Sequence, residues 1–151
     1  MAIPVFVLNG PNLNMLGKRE PGIYGGKSLE DIAADCAAAG KRLGLAVDFR
    51  QTNVEGTLVD WVQEAAEGAE GIVINPGGYT HTSVALHDAI RAIDKPVIEV
   101  HLSNIFAREP FRHHSYVSPV AAGIICGLGP LGYVLALEAL QPLVAKPSKR
   151  T

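Results

Sequence analysis

Apolar residues recur along this chain in two alternating rhythms. Short β-branched runs read as strands: Ile3–Leu8, Ala46–Arg50, Gly71–Asn75, Val97–Ser103 and Ala121–Cys126. Between them lie stretches with apolar residues at helical spacing. Ser28 offers an N-cap, with Glu30 and Asp31 in the first turn, to a helix through Ile32, Cys36 and Ala39 that ends near Leu43-Gly44. Thr52 and Asn53 are positioned to cap a second helix, in which Leu58, Val59, Val62, Ala65 and Ala66 share a face and Trp61 lies beside them as a packing residue. Thr82 or Ser83 begins a third, through Leu86, Ala89 and Ile90, stopped by Asp94-Lys95-Pro96. Pro130 opens the last at its first turn, with Leu131, Val134, Leu135, Leu137 and Leu140. Two long loops interrupt the scheme, one from Asn9 to about Lys27 and one over 103–120.

Strand and helix in alternation give a parallel sheet with helices on both faces and right-handed crossovers. Five such units fit an α/β, flavodoxin-like, doubly wound five-stranded parallel sheet of order 2-1-3-4-5. The 151 residues read as one domain over 1–144, with a basic, proline-containing tail over 145–151 expected to be loose.

Charge and composition narrow the function. A formal net charge of −2 gives no broad electrostatic case for nucleic acid or an anionic membrane. No apolar run approaches the ~20 residues of a membrane helix. The opening Met1–Leu8 lacks a basic n-region, so a cytoplasmic protein is expected. Cys36 and Cys126 are far apart and form no C-x-x-C, and both are expected to be buried packing thiols.

The polar residues cluster at strand ends. Asn9, Asn12, Arg19 and Tyr24 follow the first strand; Asn75, Tyr79 and His81 the third; Glu99, His101 and Ser103 close the fourth, with Arg108 and Arg112 beyond. In the order 2-1-3-4-5 these strands are neighbours, so the groups converge on one rim, where open α/β sheets bind ligands. Glu99 and His101, separated by one residue, leave a strand on the same face. A carboxylate beside an imidazole fixes the ring's tautomer and raises its pKa, making a proton-carrying His usable near neutral pH. Read alone, the pair also fits a half-exposed strand end.

Several chemistries lack their residues. His113-His114 are adjacent and point apart on an extended chain, so they read as a solvated loop pair, and no metal set is evident. There is no G-x-S-x-G elbow, no G-x-x-x-x-G-K-[ST], and no G-x-G-x-x-G in the first turn. Lys18 is flanked by charge and is not assigned imine chemistry. What remains is acid–base work on a small polar anion. Tyr24 beside a guanidinium such as Arg19 is a plausible base, since a nearby cation stabilises tyrosinate; a lid-packing aromatic and a solvent-facing charge are the plainer alternatives. His101 held by Glu99 supplies an acid, and asparagines can hold a water or an oxyanion. A base facing an acid describes elimination of water beside a carbonyl.

Three blocks, L-N-G-P-N-L-N-M-L-G-x-R-E-P-x-x-Y-G, I-N-P-G-G-Y-T-H-T-S and E-V-H-L-S-N-I-x-x-R-E-x-F-R-x-H-S, resemble type II 3-dehydroquinate dehydratase over about Ile3 to Leu140. The resemblance implies a flavodoxin-like hydro-lyase that uses no metal or cofactor, assembles as a homo-dodecamer (a tetramer of trimers), and converts 3-dehydroquinate to 3-dehydroshikimate in the shikimate pathway. It implies that Tyr24 removes the C2 proton, that Arg19 lowers the tyrosine's pKa and closes the lid, and that Asn12 holds a water against the enolate oxygen. His101, oriented by Glu99, would protonate the departing hydroxyl. Asn75, His81, the Leu102–Ser103 backbone and Arg112 would grip the substrate, with Arg108 in the same wall, and Asp88 would reach a neighbouring subunit's site. Two other classes share the fold: a carrier of FMN or a small anion, and a non-catalytic binding relative lacking the acid–base set.

Overall fold

The structure is a computed structural model and describes residues 1–17 and 26–145. Five parallel strands, β1 (Ile3–Asn9), β2 (Leu45–Gln51), β3 (Ile72–Asn75), β4 (Val97–His101) and β5 (Gly123–Cys126), lie in the order β2-β1-β3-β4-β5. Among the described residues there are four α-helices: α1 (Leu29–Leu43), α2 (Glu55–Gly68) and α3 (Val84–Ala92), which connect successive strands from β1 to β4, and α4 (Leu131–Val144), which follows β5. The expected order and doubly wound architecture are therefore those observed. None of the described helices is long and apolar enough to cross a membrane.

Strand alternation splits the core into two layers. Val5 and Val7 of β1, with Val73, Ile98 and Val100, face α1 and α4, where Ile32, Cys36, Ala136, Leu137 and Leu140 close over them. Phe6 and Leu8, with Ile72, Ile74 and Val97, face α2 and α3 and meet Leu58, Val62, Leu86 and Ile90. Buried on both faces, the central strands read as continuous apolar runs, as parallel sheets require.

Local signals set most helix ends. Ser28 caps α1: its hydroxyl accepts the Asp31 N–H while the Asp31 carboxylate accepts the Ser28 N–H, and Gly44 ends the helix in the left-handed region. Ser83 caps α3 by accepting the Leu86 N–H at 2.9 Å. Pro130 precedes the first turn of α4, one position earlier than the spacing suggests.

The start of α2 differs from expectation. It opens after Val54 with no side-chain cap. Thr52 instead accepts the N–H of Val54, and the Asn53 carboxamide turns away to accept the main-chain N–H of Asn12. Tertiary hydrogen bonding to the β1 turn outcompetes the local cap. Two other boundaries are shorter than the apolar runs: β4 stops at His101, because Leu102 and Ser103 turn off the sheet, and β5 begins at Gly123. Cys36 is buried, and burial pushes its thiol up to about 12. Cys126, at the end of edge strand β5, is only half-buried, which corrects its expected burial. Trp61 packs against the α2–α3 layer with the Arg50 guanidinium over its ring. Of the expected loose tail, only Ala145 lies among the described residues.

Candidate active site

The carboxyl ends of β1, β3 and β4 open onto a pocket of about 170 Å³. Asn12, Asn75, His81, His101, Leu102, Ser103, Arg108 and Arg112 all line it, with Leu13, Leu16 and Ile105 supplying an apolar side. The sheet's alternation feeds it from both faces. Asn75 leaves β3 toward α4, whereas Glu99 and His101 leave β4 on the opposite face with Val97.

Glu99 and His101 form the polar floor. The Nε2 of His101 lies 2.6 Å from Glu99 Oε2. Glu99 is wholly buried and His101 nearly so. Glu99 sits behind the imidazole and does not itself line the pocket. A buried carboxylate is costly unless it is fully hydrogen-bonded, and this one is. Thr80 Oγ1 donates to Oε2 at 3.1 Å, Ser115 Oγ to Oε2 at 3.0 Å, and Ser118 Oγ to Oε1 through a short hydrogen bond. Burial pushes the Glu99 carboxyl upward, but hydrogen bonds and charge from His101, with those of Ser118 and Ser115, outweigh it and hold the group below its ordinary value. An ionised carboxylate only accepts, so the Nε2 of His101 carries a proton, and Nδ1 is the ring atom left to exchange one with a ligand.

Residues 113–118 hold both histidines of the pocket in place. His81 Nδ1 donates to the His114 carbonyl at 2.9 Å, the Tyr116 N–H to the Thr80 carbonyl, and Ser115 and Ser118 to Glu99. Burial lowers the His81 pKa, aided by its positive neighbours His101 and Arg112 and opposed by the His114 carbonyl. A neutral His81 presents Nε2 as an acceptor. Its ring stacks toward His101 with centroids 6.4 Å apart. His113 and His114 are exposed, as expected of a loop pair, and it is the His114 main chain that serves the site.

Two guanidiniums stand in the pocket wall. Arg108 donates to Ser103 Oγ at 3.2 Å, and Arg112 Nε to Glu109 Oε1 at 2.7 Å, which leaves Arg112 anchored by one edge. Asn12 stands opposite in the left-handed region at φ 70°, an unusual place for a residue with a Cβ. The Asn53 carboxamide, 2.9 Å from its N–H, holds it there. Tyr79 does not enter the pocket: its ring packs against the α2–α3 layer and its hydroxyl donates to the Asn53 carbonyl at 2.7 Å. Asp88 is not in the pocket either; it lies on the exposed face of α3. Tyr24 and Arg19, and Lys18 with them, lie outside the described residues.

The sequence reading missed Thr80, Ser115 and Ser118 around Glu99 and Tyr133 beneath Asn75. Small hydroxyls carry no pattern of their own, although Thr80 and Ser115 do sit inside the quoted motif blocks. Tyr133 reads as one more apolar-face residue of the last helix. Among the described residues, no group of three or more His, Cys, Asp or Glu side chains is placed to hold a metal ion.

The arrangement is therefore a proton-bearing imidazole with a buried counter-charge, facing amides and guanidiniums. The model of the family described as dehydroquinase class II matches residues 3–141. The 3-dehydroquinate dehydratase of Rhizobium johnstonii is 67% identical over 145 residues, covering 96% of this chain and 100% of that one. That of Mesorhizobium japonicum is 72% identical over 137 residues, covering 90% and 95%. The crystal structure of type II dehydroquinase from Propionibacterium acnes superimposes with a TM-score of 0.90 at 48% identity, covering 94% of this chain and 98% of that one. This chain belongs to the class II dehydroquinase family.

Proposed function

We propose that this protein is a hydro-lyase that eliminates water from 3-dehydroquinate to give 3-dehydroshikimate, a step of the shikimate pathway. The observation that carries the reading is the Glu99–His101 pair at the floor of a pocket walled by Asn12, Asn75, Arg108 and Arg112. The C2 proton is acidic because the adjacent ketone delocalises the resulting carbanion. Tyr24, with its phenol pKa lowered by Arg19, takes that proton, and the electron pair moves into the enolate. Asn12 holds a water against the enolate oxygen. As the enolate collapses, the C1–oxygen bond breaks, His101 delivers a proton, and the hydroxyl leaves as water. Glu99 accepts the Nε2 hydrogen bond and orients the ring through this step. Arg112, Arg108, Asn75, His81 and the main chain of Leu102 and Ser103 hold the carboxylate and hydroxyls. The Leu102 carbonyl is already taken by the Gly129 N–H, so this stretch contributes donors.

The same reading makes the working form a cytoplasmic homo-dodecamer, a tetramer of trimers. Asp88, exposed on α3 and absent from the lining of its own pocket, is available to a neighbouring subunit's site. An FMN carrier fits less well, since about 170 Å³ lined by histidines and arginines suits a small hydroxylated acid better than an isoalloxazine.

The test is to add 3-dehydroquinate to chelator-treated protein and follow the absorbance of the conjugated enone. Steady growth is expected. Tyr24→Phe should abolish most turnover while substrate still binds. A flat trace with wild-type protein, or a lysine adduct trapped by borohydride, overturns the reaction or its enolate route.

A further inference from the structure

Tyr133 rises from α4 beneath the carboxyl edge of the sheet and is wholly buried. Its hydroxyl meets two side chains, Asn9 Oδ1 at 2.6 Å and Asn75 Nδ2 at 2.8 Å. Asn9 and Asn75 sit side by side, in register, at the ends of β1 and β3.

Counting protons settles every direction in this trio. Asn9 donates its amide N–H to the Arg50 carbonyl at 2.9 Å, so its oxygen faces Tyr133 and only accepts. A phenol has one proton, and it goes to Asn9. Toward Asn75, Tyr133 is then an acceptor only. Asn75 Oδ1 is occupied in turn by the Gly77 N–H at 3.1 Å. Rotating the Asn75 amide would break both contacts in a site where an unmet polar group is expensive. Burial drives the Tyr133 pKa well above the ordinary phenol value, against the pull of Asn75, so the proton stays in place across the working range.

We propose that Tyr133 is a positioning residue for substrate binding: by accepting from Asn75 it commits that amide to offering an N–H, never a carbonyl, to an oxygen of the bound hydroxylated acid. The second proton of Asn75 Nδ2 is not consumed by the trio, and Asn75, unlike Asn9, lines the pocket. The same contact steadies the wall, because Asn75 Oδ1 holds Gly77, a left-handed residue that also lines the pocket.

The inference rests on the dehydratase reading, and a double-mutant cycle separates the two. In the wild-type background, Tyr133→Phe should lower kcat/KM about tenfold, mostly through KM, as expected when one directed hydrogen bond is lost. In an Asn75→Ala background the same substitution should change kcat/KM by less than about twofold, since the group it acts through is gone. An equal loss in both backgrounds makes Tyr133 a packing residue and overturns the proposal, as does no loss in either. If Tyr133→Phe alone does not fold, Asn9→Leu/Tyr133→Phe removes the orphaned acceptor as well, and the cycle is run with that pair. A wild-type protein that does not turn over 3-dehydroquinate removes the dehydratase reading and the inference with it; normal wild-type turnover with an additive cycle removes the inference alone.

Discussion

His101 and Glu99 face each other across 2.6 Å inside the carboxyl edge of the sheet, and no part of Glu99 reaches solvent. The charge survives there because three hydroxyls, from Thr80, Ser115 and Ser118, share it with the imidazole. Together with His101 they leave both carboxylate oxygens hydrogen-bonded.

Replacing Glu99 by Gln keeps the shape and removes the charge. The His101 ring loses its charged partner, and kcat should fall about 10²-fold, with KM changed by less than about threefold. Stability supplies a second readout. The Glu99 carboxyl is held below its ordinary value of 4.5, so its contribution is fully present above that pH and is lost as pH falls through the lower folded value. Thermal melts should show the pH-dependent gap between wild type and Glu99→Gln closing only on the acid side of 4.5. A gap that closes near neutrality contradicts an ionised Glu99.

Ser118→Ala deletes one donor to Glu99. The carboxyl then moves back up toward its ordinary value, and the acid limb of the kcat/KM profile should move to higher pH. Ser118→Thr, which keeps the hydroxyl, should restore it. Ser115→Ala should move the same limb and also lower the melting temperature, because Ser115 Oγ accepts the N–H groups of Val117 and Ser118 as well. An acid limb that stays put in both alanine variants assigns it to another group.

Much of the site is legible in the sequence. The spacing of Glu99 and His101 on a β-branched run places them on one strand face, and the strand order gathers Asn12, Asn75, His101 and Arg112 on one rim. Period-two patterning and strand adjacency carry that much. The supports under those groups were hidden for a physical reason. Thr80, Ser115, Ser118, Asn53 and Tyr133 act through contacts between distant segments, such as the 124 residues separating Tyr133 from Asn9, and local pattern does not encode such pairings. Asn53 shows the conflict directly: its sequence context promises a helix cap, and the fold uses it to hold Asn12 instead.

Gly10→Ala should damage the pocket through its wall. A Cβ there would stand 2.3 Å from the Pro76 carbonyl oxygen and 2.7 Å from its carbon, both main-chain atoms that cannot swing aside. Gly10 also donates to the Asn75 carbonyl at 2.8 Å, so the turns after β1 and β3 would be forced apart beside Asn12 and Asn75. Overpacking of this kind costs about 1–3 kcal/mol, and KM should rise together with the loss in melting temperature. Gly56→Ala, in a helix with open space around its Cβ, should leave both unchanged or gain slightly in stability. Equal behaviour of the two variants would show that the Gly10–Pro76 approach does not matter.

Asp88 offers the sharpest test of assembly. It lies on the outer face of α3 and does not line its own pocket. A role in a neighbour's site makes a specific demand on mixed oligomers. Asp88→Ala and His101→Ala chains should each have low activity, for different reasons: the first keeps its acid but denies Asp88 to its neighbour, and the second does the reverse. When equal amounts are unfolded together and reassembled, a site is complete if its own chain carries His101 and the donating neighbour carries Asp88. Random mixing makes that about a quarter of all sites in a closed ring. Specific activity of the mixture should therefore climb to roughly a quarter of wild type. The same two proteins reassembled separately and then combined should gain nothing until subunits exchange. If the co-assembled mixture only averages its parents, Asp88 acts on its own subunit or on none, and activity is not tied to the neighbouring chain through this residue.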